Sequence, residues 1–157
     1  MNQEQSDNAG YENIYTVVFE NESGRGMTVV NFTNQKYLDE FTHDGPWLKV
    51  LRENLPEQRY IEAWQFNETS DAIIVNQVWL QEMFVAEAER ERSYRIWLVQ
   101  DELTSLQTDL MLGIIDDEGT ARLVKLKKFV IVLKQLDLST APNIEWPVSP
   151  EIALTEA

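Results

Sequence analysis

The chain has 157 residues, with 27 acids against 13 bases and a net charge of −14 at pH 7. That is room for one ordinary domain or two small ones, and a charge that repels nucleic acid and anionic membrane surfaces. There is no cysteine and a single histidine, His43, which excludes disulfides, thiolate metal sites and multi-histidine centres.

The opening residues, MNQEQSDNAG, have neither a basic start nor an apolar stretch, so no secretory signal is expected and a cytoplasm is the default compartment. Residues 1–12 read as a loose polar leader. Tyr15-Thr16-Val17-Val18-Phe19 and Met27-Thr28-Val29-Val30-Asn31-Phe32 are β-branched and aromatic. With the Gly24 and Gly26 turn between them they predict a β-hairpin. Residues 34–41 suggest one or two helical turns, interrupted at Gly45-Pro46. A short helix is expected over 47–55, stopped by Pro56. Residues 59–66 (RYIEAWQF) read as a strand with Tyr60, Glu62, Trp64 and Phe66 on one face, followed by a turn and a short strand at 72–75.

From Val78 the period changes. Val99, Leu103, Leu106 and Leu110 form a helical stripe, and no Gly or Pro intervenes before Gly113. Residues 88–93 (AERERS) are polar on every side, the mark of a stretch that is solvated or bridges two packed regions. Gly113 suits a helix C-terminus, and Asp116 with Asp117 suits the cap of the next helix. Leu123, Leu126, Val130 and Leu133 make a second stripe. Two stripes joined by a short loop predict an antiparallel αα-hairpin. Pro142, Pro147 and Pro150 predict an extended tail. The class is therefore α+β: a leader at 1–12, a β-rich N-terminal domain at 13–76, a helical hairpin at 77–138 and a proline-rich extended tail at 139–157.

No catalytic constellation assembles, and no metal or cofactor is expected. Asp116-Asp117-Glu118 reads as a helix start complementing the dipole, not as a metal cluster. His43-Asp44 reads as a surface turn beside Gly45-Pro46. Asn31-Phe32-Thr33 and Asn67-Glu68-Thr69 match the glycosylation sequon but lack the secretory context that would use it. The five bases Arg122, Lys125, Lys127, Lys128 and Lys134 fall within 13 residues. They read first as a solvated face answering the acidic helix before it, and second as a docking face for an acidic partner.

Residues 101–151 resemble the C-terminal region of the bacteriophage tail-fibre assembly proteins. The resemblance is carried by Leu106 to Glu118 (LQTDLMLGIIDDE), by Leu126-Lys127-Lys128-Phe129, and most specifically by Leu136 to Pro147 (LDLSTAPNIEWP). Residues 71–92 are similar to the extended entry and Glu/Arg-rich helix that precede it in that family. Leu126 stands where the family often has tryptophan, and Val130 where it often has arginine. The resemblance implies a chaperone, not an enzyme. Such a protein engages the C-terminal tip of a trimeric tail fibre in the bacterial host cytoplasm and assists its folding and trimerisation, in some systems staying on the particle.

A fibre tip exposes unpaired strand edges while three chains find register, and a partner with aromatic anchors would cover them. Trp47, Tyr60 and Trp64 are the candidate contacts in the β-rich part. Trp146 is the candidate in the tail, where it either docks on the hairpin or meets the partner. The helical region also leaves room for a homodimer. The competing reading is an acidic inhibitor or immunity protein of DNA-mimic type. Scattered acids and a basic last helix count against it.

Overall fold

The computed structural model describes residues 15–32 and 34–150. The expected leader, the sequon threonine Thr33 and the last seven residues of the expected tail lie outside this range. The architecture is α+β, with all described strands before residue 76 and two long helices after it. The chain divides between Leu80 and Gln81 into two compact units.

In the first unit, β1 (Tyr15–Glu20) lies between β2 (Met27–Asn31) and β3 (Trp47–Leu51), antiparallel to both. A central strand is covered on both faces, and Val17 and Val18, which point to opposite sides, are both fully buried. Val18 joins Met27, Trp64 and Ile73 in one core, with Leu48, Val50 and Tyr60 packed against it. On the other side α1 (Gln35–Asp39) lies against β1 and buries Leu38. Gly26, with φ +74°, closes the β1–β2 hairpin. A Cβ there would stand 2.8 Å from Glu62 Cα, so the close approach of the 61–62 backbone demands glycine. A second pair, β4 (Trp64–Phe66) with β5 (Ile73–Val75), completes the unit.

Asn76 starts α2 (Gln77–Leu112), its Oδ1 accepting from the Val78 and Trp79 amides at 3.0 and 3.1 Å. At the far end Gly113 takes φ +68°. The Ile114 amide donates to the Asp109 carbonyl and the Gly113 amide to the Leu110 carbonyl, which is a Schellman closure. Asp116 then caps α3 (Asp117–Gln135), its Oδ1 accepting from the Gly119 amide at 2.7 Å, with Asp117 and Glu118 in the first turn. The two stripes meet. Val99 and Leu103 pack with Leu123, Leu126, Phe129, Val130 and Leu133, and Leu106 is partly buried beside them. Leu110, the last member of the first stripe, is 52% exposed, because α3 has not yet begun opposite it.

Several local expectations are corrected. Residues 47–51 form a strand, not the start of a helix. Pairing with the open edge of β1 packs Leu48 and Val50, both partly buried, against the core, whereas a helix too short to nucleate gains little. Only a 3-10 turn at Arg52–Asn54 follows. Residues 59–63 are not strand either: Gln58–Ala63 is 3-10, and extended pairing starts at Trp64. That segment closes short-range bonds instead, such as the Tyr60 amide to the Glu57 carbonyl.

The tail is not extended throughout. Residues 139–143 turn, with a cis Ala141–Pro142 peptide bond, and bring Leu138 and Ala141 onto Ala88. The stretch 88–93 is therefore covered at Ala88 and exposed at Glu89, Arg90 and Ser93. Gln81 Nε2 secures the turn by donating to the carbonyls of Ser139 and Ala141 at 3.0 and 2.9 Å.

Candidate functional site

The sequence-predicted contact residues fall in different places. Trp47 opens β3, an outer strand of its sheet, and is 38% exposed. Its register partner on β1 is Phe19. Around these two the fold gathers an aromatic group. The Phe41 ring meets Trp47 edge-on at 5.4 Å, and the His43 ring stacks on Phe19 at 4.2 Å. His43 Nδ1 accepts from the Gly45 amide at 3.0 Å, which makes this histidine part of a turn and of the aromatic group.

Strand alternation puts Trp47 on the sheet face opposite Leu48 and Val50. Tyr60 and Trp64 belong to the core on the Leu48 side. Trp64 is 1% exposed and Tyr60 half-buried, with the Arg59 guanidinium 4.4 Å from its ring. The three aromatics of the first unit therefore do not form one surface. Trp47 is the exposed member.

In the second unit Trp146 is half-buried, wedged between the hairpin core and the Ala88–Leu138–Ala141 cluster. The Arg95 guanidinium lies 4.9 Å over its ring and also binds Glu91 at 2.7 Å. Of the bases on α3, Arg122 is engaged. It grips Glu102 through two hydrogen bonds of 2.6 and 2.7 Å and holds that carboxyl below its usual range. Lys125 and Lys128 border two open grooves of about 710 and about 850 Å³ along α3, one floored by Leu106 and Val124, the other by Phe129, Val132 and Val148.

A stacked pair of exposed aromatics was missed by sequence reasoning. Tyr94 is 53% and Trp97 68% exposed on α2, their rings stacked at 6.0 Å. Helical spacing was the available signal: Trp97 lies about 160° round the helix from Val99, off the buried stripe.

Among the described residues no group of His, Asp or Glu side chains could hold a metal ion, and no helix is long and apolar enough to cross a membrane. What the geometry does present is contact surface: an aromatic group at a sheet edge, grooves lined by lysines, and a solvent-facing aromatic pair.

Comparison with known proteins agrees with that character. The family model described as "Caudovirales tail fibre assembly protein, lambda gpK" matches residues 24–151. The chain is 35% identical over 66 residues to "Protein TfaD" of Escherichia coli (strain K12), covering 42% of this chain and 35% of that protein. It is 33% identical over 67 residues to a "Probable tail fiber assembly protein" of Acyrthosiphon pisum secondary endosymbiont phage 1, covering 43% of each. It is 35% identical over 66 residues to the "Tail fiber assembly protein" of Escherichia phage lambda, covering 42% of this chain and 34% of that one. The matched region thus spans well under half the length of each of these relatives. No solved structure matches significantly.

Proposed function

The chain belongs to the Caudovirales tail fibre assembly family, and on that ground we propose that it is an assembly chaperone for a trimeric tail-fibre protein. It binds the C-terminal tip of the fibre in the cytoplasm of the bacterial host and assists folding and trimerisation. It is not an enzyme. The observation that carries the reading is the family match over residues 24–151, which runs through both compact units.

The physical need is specific. Fibre chains waiting for their partners expose unpaired strand edges, which aggregate unless covered. A covering protein must offer either a strand edge of its own or aromatic anchors. The first unit has both in one place: β3 is an outer strand, and Trp47 stands at its start within the Phe19–Phe41–His43 group. Trp47 is therefore the proposed contact residue, while Trp64 and Tyr60 support the sheet from the core side.

Co-expression tests the reading. The cognate fibre should appear as soluble trimer with the protein and as aggregate without it, and Trp47→Ala should lower the recovered complex. A fibre equally soluble and trimeric on its own refutes the chaperone.

A further inference from the structure

Trp97 is an indole 68% exposed on a regular helix, whereas Trp146 of the same unit is half-buried between two apolar clusters, and the neighbourhood of Trp97 is ordered in a particular way. Trp97 and Tyr94 stack on the outer face of α2, away from the seam with α3. On the same face Arg90 lies four residues before Tyr94, and Asp101 four residues after Trp97. Both are exposed, and neither makes an ion pair among the described residues. The spacing 90–94–97–101 is 4-3-4, that of a coiled-coil seam. It also reads the same from either end, with a cation at one end, an anion at the other and two aromatics between.

We infer that this face of α2 is an interface with a second copy of the chain, formed by two antiparallel α2 helices about a twofold axis between Arg95 and Ile96. In that register the Tyr94 of each copy meets the Trp97 of the other, and the Arg90 of each meets the Asp101 of the other. One interface closes two aromatic contacts and two ion pairs from a single patch, as an isologous contact requires. The parallel alignment sets Arg90 against Arg90 and Asp101 against Asp101, and the repulsion excludes it. The charge order therefore selects both the partner and its direction.

The seam from Arg90 to Asp101 is about 16 Å long, less than a permanent dimer uses. A net charge of −14 per chain adds general repulsion. The dimer is accordingly reversible and concentration-dependent.

Sedimentation equilibrium of the full chain over a concentration series tests this. The wild type should pass from monomer to dimer. Arg90→Asp alone and Asp101→Arg alone should each stay monomeric where the wild type is dimeric. An equimolar mixture of these two variants should form a heterodimer, and the double variant should dimerise again. Trp97→Ala should weaken the dimer at least tenfold, with helix content unchanged because the residue is exposed. Monomer at every concentration overturns the inference. So does a dimer indifferent to charge reversal, which places the contact on another face. A Trp97→Ala chain that dimerises normally but no longer retains the fibre overturns it too, and assigns the aromatic pair to the fibre instead.

Discussion

Trp146 ties the tail to the helices, and its removal can be worked through from the structure. The indole is half-buried between two apolar clusters that share no other side chain among the described residues. A tryptophan so placed removes on the order of 150 Å² from water, and at ~25 cal/mol/Å² this is almost 4 kcal/mol. Unfolded chains already bury part of such surface, which lowers the figure to about 3 kcal/mol. The Arg95 guanidinium at 4.9 Å adds roughly 0.5 kcal/mol, since it is shared with Glu91.

Trp146→Ala should therefore destabilise the second unit by about 3 kcal/mol, which at a urea slope near ~1.5 kcal/mol/M is a midpoint lowered by about 2 M. Far-UV circular dichroism without urea should still show both helices, because the Leu126 and Leu133 core is intact. Glu145→Gln is the control: Glu145 is exposed, in no ion pair among the described residues, and should leave the midpoint in place. A Trp146→Ala midpoint equal to wild type refutes the reasoning, because the indole would then contribute nothing by lying between the two clusters.

Leu133→Asp puts a carboxylate at a fully buried site inside an apolar cluster and should cost about 5 kcal/mol or more, read as loss of the cooperative transition of the hairpin. Leu106→Asp, at a partly buried position, should cost less. Gly113→Ala should cost about 1 kcal/mol from the positive φ alone, since nothing lies within 4 Å of the added Cβ, and Gly113→Asn should cost less; thermal midpoints separate the two. Glu102 is held below its ordinary value of 4.5 chiefly by hydrogen bonds from Arg122, with burial pulling the other way. As pH falls the unfolded chain takes up this proton first. The stabilisation is thus complete above about 4.5 and disappears as pH drops through the lower folded value. Wild type and Glu102→Gln should differ in urea midpoint at pH 7 and converge at acid pH.

The helical half of the molecule was legible because its rules are local. A 3.6-residue period marks Val99, Leu103, Leu123, Leu126, Val130 and Leu133 as inward-facing without knowledge of anything distant. Gly113 and Asp116 announce the turn through backbone requirements of their own. The β1–β2 hairpin belongs to the same class, since its two strands adjoin in sequence.

What the sequence could not decide depends on partners remote along the chain. WLKVL is equally compatible with one helical turn and a strand; the vacant edge of β1, 30 residues earlier and set by the hairpin, makes it β3. RYIEA alternates like a strand but coils into 3-10 turns, its Ile61 and Tyr60 packing on the core formed around Val18 and Trp64. Whether residues 88–93 meet water rests on Leu138 and Ala141, some 50 residues later, which turn back to cover Ala88. The same limit applies to the contact residues: five tryptophans are visible in the sequence, but only the packed chain shows that Trp64 is core, Trp146 a wedge, and Trp47 and Trp97 open to solvent. Period and capping are properties of a few neighbouring residues, whereas burial is a property of whatever the rest of the chain places opposite them.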